Sequence, residues 1–258
     1  MKITVLAENV STHENIGAEH GLSLYIETSQ HKILFDMGQT TLFSENAEKL
    51  GADLACVDTA VLSHGHYDHG GGLQKFLELN STASVYISRF AFEPHYNGTQ
   101  KYIGLDTSLA KSDRLIFTDD SCKIGEGLTL FTCNSFDKKH GMSSAGMLIL
   151  QNDTFSPDDF RHEQYLLIEE SGKKILISGC SHKGILNIAE WFAPDVLVGG
   201  FHFSKLPLDG VLEGYAKLLN GFDTDFYTCH CTGTAQFEFM KQHMSRLFYL
   251  SCGDTITI

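Results

Sequence analysis

From Val61 to Leu73 the chain reads Val61-Leu62-Ser63-His64-Gly65-His66-Tyr67-Asp68-His69-Gly70-Gly71-Gly72-Leu73. Three imidazoles and one carboxylate fall within six residues, directly behind an apolar run. Imidazole nitrogen and carboxylate oxygen are donors for first-row divalent metals. His64 and His66 stand two apart, so on extended backbone both rings point to one face. On a helix they would diverge by roughly 200° and could not share an ion. Asp68 and His69 follow without a gap, and one metal cannot comfortably take all four groups. The spacing suggests two neighbouring metal positions, with His64 and His66 on one and Asp68 and His69 on the other. The alternative, a histidine-rich surface loop, fits poorly between a buried-looking strand and a glycine triplet.

Two metals need more donors, and four later apolar runs are bordered by a histidine. His162 precedes the run Gln164-Tyr165-Leu166-Leu167-Ile168. Cys180 and His182 follow Ile175-Leu176-Ile177-Ser178. His202 follows Val196-Leu197-Val198, and His230 follows Phe226-Tyr227-Thr228 with Cys229 and Cys231 on either side.

The elements that must position these groups are mostly short strands. Apolar runs predict strands at Ile3–Leu6, Leu22–Glu27, Lys32–Asp36, Ala60–Ser63 and Val85–Ser88. Further strands are predicted at Leu115–Phe117, Leu128–Cys133, Met147–Leu150, Gln164–Glu169, Lys174–Ser178, Val196–Gly199, Asp225–Cys229, Leu247–Leu250 and Thr255–Ile258. Helical spacing marks Leu42–Leu50, Leu73–Leu79, Ile185–Phe192, Val211–Leu219 and Thr234–His243. Strands dominate each half with helices between and after them, so the fold class is α+β, a four-layered αββα sandwich. The opening motif would sit at a strand's carboxyl end, where open sheets carry ligands. The glycine triplet permits close backbone approach there. From Arg89 to Lys111 periodicity is lost among Phe90, Phe92, Tyr96 and Tyr102, which reads as a substrate lid or an ordinary packed connection.

The 258 residues suffice for one domain, 1–258, and no low-complexity tract or linker divides them. The net charge of −13 leaves no basic stripe for phosphates, which argues against nucleic acid as a partner. It does not exclude a small anionic substrate, because metals bring their own positive charge. No run reaches the ~18 apolar residues that span a membrane. Met1-Lys2-Ile3-Thr4-Val5 begins as a strand without a signal pattern, so the expected location is cytoplasmic. Seven scattered cysteines fit reduced thiols.

Ser63-His64-Gly65-His66-Tyr67-Asp68-His69 resembles the HxHxDH signature of the metallo-β-lactamase fold superfamily. Ala18-Glu19-His20-Gly21-Leu22-Ser23, Asp36-Met37-Gly38, Phe160-Arg161-His162-Glu163-Gln164, Gly179-Cys180-Ser181-His182, Gly199-Gly200-Phe201-His202 and His230-Cys231-Thr232-Gly233 are similar to one branch of it. That branch resembles dihydropterin ribofuranosylaminobenzene 5′-phosphate synthase. The resemblance implies that His64, His66 and His162 hold a first metal, and that Asp68, His69 and His230 hold a second. Where superfamily members usually carry a bridging aspartate, this chain has Cys180, either a thiolate ligand or a small buried residue. His182 is then an alternative donor or a proton-transfer group. His202 reads as facing the substrate, His20 and Glu163 as groups that orient ligand imidazoles, His140 as loop, and Cys229 and Cys231 as packing.

The implied activity is that of a metallo-hydrolase with two divalent ions, zinc first, iron or manganese next. A metal-bound hydroxide would attack a small phosphorylated or pterin-like substrate. Asp68, His182 and His202 are the candidate catalytic residues, with His182 or His202 passing a proton to the leaving group. Phe90, Phe92, Tyr96 and Tyr102 would form a stacking wall. The alternatives are a synthase-like condensation with loss of pyrophosphate, a diiron redox enzyme, or a metabolite sensor. The diiron relatives have a glutamate where His66 stands.

Overall fold

The computed structural model describes residues 1–141 and 145–258. Two seven-stranded mixed sheets form its centre. The first runs in the order Thr255–Thr257, Lys2–Ala7, Ser23–Glu27, Lys32–Phe35, Thr59–Val61, Ser84–Ser88, Leu115–Thr118. The second runs Leu247–Tyr249, Asp225–Thr228, Val196–Val198, Lys173–Ile177, Tyr165–Glu170, Leu128–Phe131, Ser121–Gly125.

The layering follows from the period of two along each strand. Ile33 and Phe35 point into the space between the sheets, while Leu34 points to the outer face. Ile175 and Ile177 meet them from the second sheet, and Leu176 faces outward. These strands are apolar on both faces because both faces are covered. Outside the first sheet, helices Leu42–Leu50 and Leu73–Leu79 bury Phe43, Ala47, Leu73 and Phe76. Outside the second, Ile185–Phe192, Gly210–Leu219 and Thr234–Lys241 cover the outward side chains; Leu212, Ala216 and Leu219 form one helical stripe. This is the expected αββα sandwich.

A third, four-stranded sheet was not expected. It pairs His95–Asn97 and Lys101–Tyr102 with Met147–Gln151 and Thr154–Pro157. The Arg89–Lys111 segment therefore lies over the metal motif as a paired hairpin, with Ile103 packed on Met147 and Phe160. Among the described residues no helix is long and apolar enough to cross a membrane.

Parallel pairing gathers the site. Lys32–Phe35 runs parallel to Thr59–Val61, and Lys173–Ile177, Val196–Val198 and Asp225–Thr228 run parallel to one another. Asp36, Ser63, Cys180, His182, His202 and His230 all follow the carboxyl ends of these strands.

Candidate metal centre

The motif leaves its strand in extended form, and His66 (φ −98°, ψ 147°) caps a short helix, Tyr67–Gly70, that carries Asp68 and His69. The glycine triplet serves close approach. A Cβ on Gly71 would lie 2.1 Å from the Gln39 carbonyl oxygen, and one on Gly72 2.2 Å from that of Met37. Asp36, Phe160, Ser181, His202 and His230 all take positive φ, between +49° and +59°. Such backbone costs about 1 kcal/mol or more per residue and concentrates at functional sites.

Asp36 organises the first half of the site. Its buried carboxylate accepts the Ser63 N–H and Oγ–H, each at 2.7 Å, and faces His69 Nδ1 at 2.7 Å. Because the Ser63 hydroxyl donates to Asp36, it accepts from His64 Nδ1, 2.8 Å away. The proton of each imidazole is thereby assigned to Nδ1, and each Nε2 is left with a bare lone pair. His230 is fixed likewise: its Nδ1 lies 2.8 Å from Asn9 Oδ1, an oxygen that also accepts the Gly21 N–H.

The second position draws its donors into one place. His69 Nε2 lies 3.2 Å from His230 Nε2, 3.2 Å from Cys180 Sγ and 3.9 Å from Asp68 Oδ2. His230 Nε2 is 3.5 Å from the same Asp68 oxygen. These spacings are those of ligands around one ion, given metal–donor distances of about 2.0–2.3 Å. Two nitrogens, a carboxylate and a thiol suit a borderline divalent metal, so the residues present fit the group the family pattern implies. Burial holds the Cys180 thiol, with Cys231 beside it, well above its ordinary pKa, so ligation there releases a proton.

At the first position the rings of His64, His66 and His182 converge. Their centroids lie 4.5, 4.9 and 5.1 Å apart, and their planes cross at 76–80°. One nitrogen from each falls within 4.8 Å of the others. Among the described residues no hydrogen-bond partner meets Nε2 of His64 or His66, or either nitrogen of His182. Burial drives all three pKa values well down, so they are neutral imidazoles. His162 shares His66 with that position, in a group with His95 and Asp158, and its Nε2 also lacks a hydrogen-bond partner among the described residues.

His202 packs beside His182, with centroids 4.5 Å apart and planes tilted by 56°, and its pKa falls to about 4, first through burial and then through Lys205. Its ring lines a cavity of about 140 Å³ with His182, Lys205, Tyr215 and His140. A second cleft, of about 120 Å³, is lined by Asp68, His66, His182, Cys180 and His230, with Asn97 and Lys101 of the hairpin at its edge. His182 borders both.

Sequence reading differs from this arrangement in several places. His20 contacts the Asp68 carboxylate at 3.1 Å and packs its ring 5.0 Å from that of His230, whereas Glu163 accepts the backbone N–H of His182 and Lys183. His140 does lie on a loop, where it hydrogen-bonds Glu190 and also borders the cavity beside His182. Cys229 packs between the sheets, but Cys231 lines the cleft. The four aromatics expected as a wall pack elsewhere: Phe90 under Arg161, Phe92 on Phe117, and Tyr96 between Tyr102 and Phe155. Glu8, Asn9, His95 and Asp158 were missed. Asp36 was noticed only as part of a turn.

The family model described as the metallo-β-lactamase superfamily matches residues 16–141. An uncharacterized protein of Methanocaldococcus jannaschii is 30% identical over 269 residues, spanning 99% of this chain and 100% of that protein. A 7,8-dihydropterin-6-methyl-4-(β-D-ribofuranosyl)-aminobenzene-5′-phosphate synthase from the same organism is 25% identical over 287 residues, spanning 99% and 96%. The crystal structure of a metal-dependent hydrolase of the β-lactamase superfamily matches with a TM-score of 0.85 at 29% identity, over 100% of this chain and 99% of that one.

Proposed function

The chain belongs to the metallo-β-lactamase superfamily, and from that premise we propose that it is a metal-dependent hydrolase of small anionic molecules, phosphorylated or pterin-like. The reading rests chiefly on the meeting of His69 Nε2, His230 Nε2, Asp68 Oδ2 and Cys180 Sγ, two bare imidazole lone pairs beside a carboxylate and a thiol, which is a donor set for one cation. A divalent metal supplies Lewis acidity and draws the pKa of bound water from 15.7 toward ~7.

The protein's own groups do the rest. Asp68, His69, His230 and Cys180 would hold one ion, and His64 and His66 would hold the other with a third donor. Asp36 keeps His64 and His69 in the ligating tautomer. Lys101 at the cleft edge and Lys205 in the adjoining cavity offer positive charge to an anionic substrate in an otherwise acidic protein. His202 is neutral at pH 7 and so carries no extra proton to deliver to a leaving group. A second reading, a synthase-like transfer, is favoured by the full-length similarity to the named synthase.

Metal analysis of the purified protein, combined with assays on phosphate monoesters, cyclic phosphodiesters and lactones, tests the proposal. Zinc or manganese with turnover supports hydrolysis. Two irons with redox-active absorption overturn it.

A further inference from the structure

We propose that His182 closes the first metal position and that His162, which the family pattern assigns to it, instead anchors the backbone between His64 and His66. The proposal rests on the metal-site reading above and concerns which residues serve it.

One nitrogen of His162 is already engaged. Its Nδ1 accepts the Gly65 backbone N–H at 2.9 Å, so that lone pair is occupied. A neutral ring must then carry its proton on Nε2. Nε2 faces Asp158 Oδ2 at 3.4 Å, and the same carboxylate oxygen lies 2.7 Å from His95 Nδ1. The carboxylate thus receives two imidazoles, and the His95 and His162 rings lie 3.9 Å apart. Nε2 makes no hydrogen bond among the described residues, but the donor group that His162 joins is that of His66, His95 and Asp158, and the His64 ring centre is 5.8 Å away.

His182 differs in that neither of its nitrogens is engaged among the described residues. It is buried, no described residue partners either nitrogen, and its ring completes the near-regular triangle with His64 and His66. Leaving two polar atoms buried and unpaired is costly, and ligation would satisfy one of them. The ring is also held for that task. Phe160 stacks on it at 4.4 Å and 6°, and Glu163 accepts its backbone N–H at 2.7 Å.

The role left to His162 is positional. Gly65 is wedged where a Cβ would lie 2.1 Å from the Ala91 carbonyl oxygen. A hydrogen bond from its N–H to His162 fixes the peptide that sets the angle between the His64 and His66 rings. His95 and Asp158, reaching in from the third sheet and the loop after it, brace that histidine.

The test compares His182→Ala with His162→Asn, whose Oδ1 replaces Nδ1 as acceptor but which has no Nε2. Zinc per chain, zinc affinity by chelator competition and the Co²⁺ absorption spectrum are read on each reconstituted protein. The expected result is that His182→Ala loses one equivalent, or about 100-fold or more in affinity for it, and changes the Co²⁺ spectrum. His162→Asn keeps both equivalents and the wild-type spectrum. His162→Ala, which also frees Gly65, falls within the loss of about 10–100-fold typical of groups that orient ligands. Loss of the equivalent in His162→Asn, with retention in His182→Ala, overturns the proposal while leaving a metal protein. So does a third equivalent in the wild type that disappears in His95→Ala, which would give the His95–Asp158–His162 cluster to a cation. Should His162→Asn fail to fold, Asp158→Asn takes its place with the same expectation of two retained equivalents. A wild-type protein that binds no metal overturns the underlying reading as well.

Discussion

The Nε2 atoms of His69 and His230 lie 3.2 Å apart, and neither has a proton to offer the other. His69 gives its proton to Asp36 through Nδ1, and His230 gives its own to Asn9. Asp68 and Cys180 stand against the same two lone pairs. Unlike charge must lie between them, as a metal ion or, in its absence, as a proton. The second is consistent with His69 itself: burial lowers its pKa, but the carboxylates of Asp36 and Asp68 outweigh burial and leave it raised.

Asp36 fixes two ligands at once, so Asp36→Ala should weaken both metal positions. Orienting groups of this kind are worth about 10–100-fold in metal affinity. Chelator competition on the variant should show both equivalents loosened; loss confined to one would break the link drawn from Asp36 through Ser63 to His64.

Cys180→Ser replaces the thiol that faces His69. Loss of about one metal equivalent is expected, together with loss of the sulfur-to-metal charge-transfer band in the Co²⁺ protein. An unchanged band would return Cys180 to a packing role.

Acid should destabilise the metal-free protein. His162 and His230 have pKa values near 4, set first by burial, against 6.5 when exposed. Between those values the unfolded chain binds more protons, so stability falls as pH drops from 6.5 toward 4. At 1.36 kcal/mol per pKa unit each contributes about 3 kcal/mol at most. His69 acts in the opposite sense: its raised pKa stabilises the fold at low pH, and that contribution is lost as pH rises through it. Denaturant titrations at pH 7, 5.5 and 4.5 check this; constant stability across them would refute it.

Glu163 accepts hydrogen bonds from the Tyr165 hydroxyl and from the backbone of His182 and Lys183. Glu163→Ala leaves three buried donors unpaired, each costing about 1–3 kcal/mol. Stability should fall by about 3 kcal/mol or more in urea unfolding, with weaker metal binding because the His182 backbone is released. A change under about 1 kcal/mol would mean that water replaces the carboxylate.

The sandwich was legible because its signals are local. Leu42–Leu50 ends at Gly51 with φ +72°, and strands such as Lys32–Phe35 are apolar on both faces. Ser121–Gly125 and Thr154–Pro157 were missed because they are half-exposed edge strands without clear alternation. The donors after each parallel strand were legible for the same local reason. Their partners were not: Asp36 meets Ser63 and His69 27 and 33 residues away, and His95 meets Asp158 across 63. Such contacts are made by sheet pairing, which no short pattern records. The aromatics near the motif misled because exposed-looking rings found partners within the third sheet and its neighbours.

The central claim is that the strand-end histidines exist to hold metal, and metal content per chain before and after His66→Ala tests it most directly. Two equivalents of divalent metal in the wild type, with most lost in a variant that remains folded, is the predicted result. Unchanged metal content in His66→Ala, or a wild-type protein that takes up none on reconstitution, would contradict it.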